Sequence, residues 1–331
     1  MKLPPWLQRQ HDRLRHQRGH ALLLAGPAGL GQYPLALALA RTWLCDQPGE
    51  AGACGLCPSC HAIDVRTHPD LFVLMPETLA LALDWPLDPK TQDKIDRKEL
   101  KPGKFIRVEP TREAIAFTQT TRSRGETKVV LIHPADRLNV ESANTLLKTL
   151  EEPPGAVRFL LTTEAAHAVL PTIRSRCLTH TLGWPQPDEA LAWLGQHTTV
   201  AEPEVLLKAA GGSPEAAHAW IEAGLTAQTW RQLPRCVAEG DFGPMADWPA
   251  TRQMDVLLKL CHDLMAVGAG AGPRYFAIED LPVPPSMLAL NRWYKDLIAA
   301  ARTMEHPFNP ALQQEAWALR ARSALALHSE A

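Results

Sequence analysis

The 331-residue sequence predicts an α/β domain followed by an all-α remainder. Three observations predict it. An apolar run, Ala21 to Ala25, passes through a glycine-rich turn into the apolar segment Pro34 to Cys45, which reads as strand, tight turn and helix. Two further strand-like runs, Lys128 to Ile132 and Val157 to Thr162, follow helical periodicities. From Trp184 onward only helical spacing of apolar residues recurs, at Val256-Leu257-Leu258, Leu288 to Ala300 and Leu312 to Leu327.

Composition narrows the class. The chain is long enough for two or three domains with real cores. A net charge of −2 with 21% charged and 46% hydrophobic residues excludes disorder and a general polyanion binder. Met1 to Gly19 is rich in Arg and His and has no apolar core, so no signal peptide and a cytoplasmic location are expected. His20 to Leu44 imitates a membrane span by length, but Gly26, Pro27, Gly29, Gly31 and Pro34 interrupt it, and no membrane association is expected.

The first element, after Leu3-Pro4-Pro5-Trp6-Leu7, is a basic stretch bearing Arg9, Arg13, Arg15 and Arg18, read as a solvated amphipathic helix. The turn Gly26-Pro27-Ala28-Gly29-Leu30-Gly31-Gln32-Tyr33 then keeps the G-x-x-x-x-G spacing of a phosphate-binding P-loop at Gly26 and Gly31. A working loop continues with a lysine for the β/γ-phosphates and a hydroxyl for Mg²⁺. Here Gln32 supplies only a dipole, and Tyr33 sets its oxygen at the far end of a ring. Such a loop keeps its shape and loses its chemistry. Taken alone, it is equally a Gly-rich turn of any βα unit.

Cys45 and the run Cys54-x-x-Cys57-x-x-Cys60 place four soft ligands in a short Gly- and Pro-bearing segment, which suits a tetrahedral structural Zn²⁺. Disulfides do not suit a chain without an export signal, and a redox pair needs only two cysteines. A ferredoxin-type cluster would continue x-x-x-Cys-Pro, whereas Asp64 and Val65 stand there. His61 is the less favoured substitute ligand. Cys177, Cys236 and Cys261 read as packing residues.

Thr67-His68-Pro69-Asp70 leads into Leu71 to Leu74, expected as a short buried strand. Leu79 to Lys104, with Pro and mixed charge, is expected as a mobile surface excursion, and helical periodicity resumes over Val108 to Thr121. The strand Lys128 to Ile132 would end, in a P-loop ATPase, in a carboxylate pair for Mg²⁺ and water; it ends in His133-Pro134, with Asp136 displaced. A second requirement for hydrolysis is therefore missing independently of the first. Next comes Ser142-Ala143-Asn144-Thr145-Leu146-Leu147-Lys148-Thr149-Leu150-Glu151-Glu152-Pro153-Pro154, whose Leu146, Leu147 and Leu150 form an apolar helix face stopped by the prolines. After the strand at Val157 stands Leu170-Pro171-Thr172-Ile173-Arg174-Ser175-Arg176-Cys177.

On these motifs, together with the four-cysteine insert, the Thr-His-Pro-Asp box and the Pro-Trp near the start, the sequence resembles the bacterial clamp-loader AAA+ family, and within it the δ′ class of DNA polymerase III subunits. The resemblance is specific from Met1 to about Ala217; beyond that it rests on helical character and on His306-Pro307-Phe308-Asn309-Pro310. It implies a parallel-sheet AAA+ domain with a zinc insert over residues 1–183, a helical lid over 184–225 and a helical collar over 226–331. The zinc module would span about 45–60 and the insertion about 79–104.

The resemblance further implies a catalytically silent member of a five-subunit ring whose motor subunits, γ or τ, hydrolyse ATP. Partners would be γ/τ and δ, and through them the β sliding clamp and primer–template DNA. Lid residues Gly211-Gly212-Ser213-Pro214 would precede, in a motor subunit, an arginine that senses the γ-phosphate; here Glu215 follows and would repel a nucleotide. Arg176 would be an arginine finger acting in trans on a neighbour's ATP, with Arg174 the structural arginine. ATP is not expected in the chain's own site. The rival readings are an active γ/τ-like ATPase, which the absent lysine at 32 disfavours, and a zinc-ribbon nucleic-acid binder, which the mildly acidic composition disfavours.

Overall fold

Every residue of β1 (Ala21–Ala25) is buried, and the first half of the chain is arranged around it. The structure, a computed structural model, describes residues 3–304 and 309–326. It forms two compact units, Met1–Trp184 and Pro185–Ala331.

In the first unit β1 is joined by β2 (Leu71–Leu74), β3 (Lys128–Ile132), β4 (Val157–Thr163) and β5 (Leu178–Thr181) in the order β2-β3-β4-β1-β5, all parallel. The helices of this unit are α1 (Pro5–Leu14), α2 (Gln32–Leu44), α3 (Pro58–Asp64), α4 (Glu77–Ala82), α5 (Pro89–Asp96), α6 (Val108–Gln119), α7 (Val140–Glu151) and α8 (Pro171–Arg174). The central strands are predominantly apolar because both faces are covered. Leu23, Val130, Ile132, Phe159 and Leu161 share a core with Leu146 and Leu150 of α7 and Ala114 of α6. Helix α2 packs on β1, β3 and β4. Strand order changes direction at β1, so its carboxyl end lies where open α/β sheets form a crevice, and the glycine loop starts there. The α/β half and the helical remainder agree with the expected fold class.

Two expectations are corrected. The run Leu71 to Leu74 is an edge strand, and only Leu74 is buried, because one side of β2 has no neighbour. The stretch 79–104 is not a featureless excursion: it holds the end of α4 and all of α5, the latter capped by Asp88, whose carboxylate accepts from Lys90 N and Thr91 N. Its base is tied down by Glu77, which accepts from Gly103 N at 2.6 Å and pairs with Arg107 at 2.6 Å. Helix α1 is amphipathic as expected: it buries Trp6, Leu7, His11 and Leu14 and leaves Arg9 and Arg13 exposed. Strand β5, absent from the sequence reading, is short and largely exposed, so Leu-Thr-His-Thr carries little apolar signal.

The second unit is helical: α9 (Pro187–His197), α10 (Pro203–Ala209), α11 (Pro214–Glu222), α12 (Ala227–Glu239), α13 (Ala250–Gly268), α14 (Met287–Arg302) and α15 (Pro310–Leu325). Ala190, Leu194, Leu207 and Ala217 form one small core. A larger one gathers Trp230, Leu257, Leu260, Phe276, Trp293 and Trp317. Trp230 stacks on Phe276 at 4.5 Å, and the buried Asp263 accepts from the N–H groups of Arg274, Tyr275 and Phe276. These tryptophans are packing residues. Of the His306 to Pro310 motif, residues 306–308 lie outside the described residues.

Candidate functional site

The carboxyl end of β1 runs into the glycine loop, and α2 begins at Gln32. Gly31, just before it, has φ 82°, a left-handed conformation that a side chain would strain. Gly26 is tightly placed: a Cβ there would lie 3.2 Å from Leu182 Cβ and 3.3 Å from Leu30 Cδ1. Both positions of the G-x-x-x-x-G spacing thus favour glycine.

Its interior is already filled. Gln32 is 3% exposed, and its side-chain Nε2 donates to the carbonyls of Gly26 at 2.6 Å and Pro27 at 2.8 Å. The amide is spent on the loop that a lysine would leave open. Tyr33 does not reach toward a metal. Its ring lies 4.7 Å from that of His133, its hydroxyl accepts from the indole N–H of Trp85, and burial raises its pKa. Trp85 belongs to the 79–104 stretch, whose contacts sequence alone did not assign.

At the end of β3, where a hydrolysing site would place carboxylates, His133 shares a 2.7 Å hydrogen bond with Thr162 Oγ1. Burial lowers its pKa to about 4, against a smaller raising effect of Asp136, so the imidazole is neutral at ordinary pH. Asp136 itself accepts from Thr163 Oγ1 at 2.6 Å. Tyr33, His133 and Thr162 thus form a neutral wall beside the loop. In the second unit, Glu215 lies in the first turn of α11, and burial raises its carboxyl pKa.

The cysteines converge. The sulfur atoms of Cys45, Cys54, Cys57 and Cys60 all lie within 4.8 Å of one another, and among the described residues they are the only such group of His, Cys, Asp or Glu that could hold a metal ion. Cys45 Sγ is 3.5 Å from Cys54, 3.8 Å from Cys57 and 3.7 Å from Cys60. A tetrahedron of bonds of about 2.3 Å has an edge of about 3.8 Å. Backbone N–H groups of Leu56 and Cys57 donate to Cys54 Sγ, and that of Cys60 donates to Cys57 Sγ, contacts that orient and stabilise thiolates. His61 is exposed and stands outside the group. The segment is strapped to the domain by Arg41–Asp64 at 2.8 Å and by Arg15 Nη1 donating to Gly49 O at 3.1 Å.

Arg176 follows α8 on a tight turn, its N–H bonded to Ile173 O at 3.1 Å. Ile173 is buried, and Cys177 packs on the same core, its thiol pushed up to about 12 by burial. Arg174 makes no ion pair among the described residues and donates to Ala166 O at 3.3 Å, whereas Arg176 pairs with Glu151 at 2.8 Å. The glycine loop reading, the cysteine set and the arginine turn are thus three separate places in one domain.

A sequence profile described as DNA polymerase III, delta subunit, matches residues 6–185. The chain is 39% identical over 216 residues to the DNA polymerase III subunit delta′ of Pseudomonas aeruginosa, a match covering 63% of this chain and 58% of that protein. It is 32% identical over 256 residues to the Escherichia coli subunit delta′, covering 75% of this chain and 69% of that one. The DNA polymerase III subunit tau of Salmonella typhimurium is 33% identical over 159 residues, 48% of this chain and 21% of tau. Matches to the curated delta′ relatives thus span between about half and two thirds of their length. A solved gamma subunit-related protein of Thermotoga maritima aligns over 96% of this chain and 99% of its own at TM-score 0.47 and 15% identity, too distant to carry an argument. No described helix is long and apolar enough to cross a membrane.

Proposed function

The chain belongs to the DNA polymerase III delta′ subunit family, and on that premise we propose that it is a non-hydrolysing AAA+ subunit of the clamp loader, lending Arg176 to a neighbouring motor subunit. Its partners are γ/τ and δ, and through them the β sliding clamp and primer–template DNA. Residues 184–225 serve as the lid and 226–331 as the collar that joins the ring.

The observation that carries the reading is the closed loop. A P-loop binds phosphate through inward backbone N–H groups, a helix N-terminus and a lysine. In this chain Gln32 donates into Gly26 O and Pro27 O, and the adjoining wall of Tyr33 and His133 offers neither lysine nor carboxylate. Charge on a triphosphate and its metal would go uncompensated there. Arg176, by contrast, stands on a rigid surface turn with a side chain 30% exposed. Placed against a neighbour's γ-phosphate, a guanidinium stabilises the charge that develops during transfer, worth about 10³–10⁵ in rate where measured.

The four cysteines fit zinc in a structural role: all four positions of a tetrahedron are filled by protein, leaving none for substrate. When bound, the ion would supply a crosslink between the end of α2 and α3. The reading is tested by ATP hydrolysis of the purified chain, which should not exceed background, while the chain assembled with γ/τ and δ supports clamp loading on primed DNA. Turnover by the chain alone would overturn it.

A further inference from the structure

We infer that Glu151 is a positioning residue for Arg176, holding the guanidinium so that two N–H groups are left for a neighbour's phosphate. The inference rests on the reading of Arg176 as a finger in trans. Glu151 Oε2 accepts from Arg176 Nη2 at 2.8 Å and from Nε at 3.2 Å, so one carboxylate oxygen grips one side of the guanidinium. Thr172 O accepts from Nη1 at 3.1 Å. An arginine has five N–H donors, and these contacts engage three. One N–H on each terminal nitrogen remains for a phosphate oxygen.

Both ends of the clamp are fixed. Glu151 is the last residue of α7, whose Leu146 and Leu150 are buried, and Thr172 and Arg176 flank the buried Ile173. Arg174 is turned aside toward Ala166 O and does not compete for Glu151. A surface pair such as this contributes little to folding. What it changes is the freedom of a long side chain, which would otherwise be lost when the neighbour docks. Glu151 sits in the Leu-Glu-Glu-Pro-Pro run that the sequence singled out and that the finger reading left without a role.

The test is DNA-stimulated ATP hydrolysis by the complex reconstituted with γ/τ and δ, using Arg176→Ala, Glu151→Ala, Glu151→Gln and the Glu151→Ala/Arg176→Ala double variant. Arg176→Ala defines the Arg176-dependent part of the rate. Glu151→Ala should lower that part by about tenfold in kcat with KM for ATP unchanged, since a displaced group costs rate rather than binding. Glu151→Gln, which keeps an acceptor oxygen, should lose less. The double variant should be no slower than Arg176→Ala, and the melting temperature of the free chain should not move. If Glu151→Ala leaves the Arg176-dependent rate intact or raises it, or if its loss adds to that of Arg176→Ala, Glu151 does not position the finger, though the finger stands. If Arg176→Ala itself has no effect, the finger reading falls and this inference with it.

Discussion

Trp85 donates its indole N–H to the hydroxyl of Tyr33, so a residue of the 79–104 stretch closes over the first turn of the helix that follows the glycine loop. Tyr33 in turn lies against His133, and Gln32 is folded into the loop itself. Packing thus occupies the space beside the glycine loop.

Restoring the motif letters should therefore fail. A Gln32→Lys/Tyr33→Thr chain is expected to hydrolyse ATP no faster than the parent, because Trp85 and His133 still line the site and no carboxylate pair is present at the end of β3. Phosphate release by the purified variant checks this, and multiple turnover would show that the two substitutions alone had silenced the site.

Metal removal is the second case. Chelation should release about one zinc ion per chain, and Cys54→Ser should retain less, because a structural ion contributes its binding free energy to folding. A loss of only about 2 kcal/mol would lower the melting temperature of the first unit by about 4–8 °C. Metal analysis with thermal unfolding reads both; an unchanged melting temperature after complete chelation would deny the cysteines a structural role.

His133 predicts a pH dependence. Its folded pKa is lowered by burial to about 4, below the usual 6.5. The unfolded chain therefore takes up a proton that the folded chain refuses, and this contribution is complete above pH 6.5 and is lost as pH falls toward 4. The loss between about pH 7.5 and 5 is about 2 kcal/mol. Urea unfolding at the two values should show a His133→Asn chain losing less stability than the parent by about that amount; identical losses would mean that His133 is not the source.

What was legible in the sequence follows a physical division. Ala21 to Ala25, Lys128 to Ile132 and Val157 to Thr163 are buried on both faces, so composition alone marks them, and Gly26 and Gly31 mark a backbone shape. Cys45, Cys54, Cys57 and Cys60 stand out by spacing, and their sulfurs do meet. Strand β5 is short and exposed, and α5 buries no residue, so neither carries a periodic apolar signal, though Asp88-Pro89 is a cap that could have disclosed α5. Trp85 on Tyr33 and Arg176 on Glu151 join residues distant in sequence through the fold, and no local pattern encodes such pairs.

The second unit offers a stability test independent of function. Asp263 is fully buried and its carboxylate accepts three backbone N–H groups from the 274–276 turn. Asp263→Asn replaces an acceptor by a donor facing donors and should cost about 3 kcal/mol or more. Denaturant unfolding reads it, and a cost within experimental error would mean that water or a rotated turn replaces those bonds.

Arg176 carries the decisive measurement. In the complex reconstituted with γ/τ and δ, Arg176→Ala should leave assembly intact, abolish loading of the sliding clamp onto primed DNA and lower hydrolysis at the adjoining motor site by about 10³-fold. Wild-type loading and hydrolysis with the substituted chain in place would contradict the proposal that this subunit completes a neighbour's reaction.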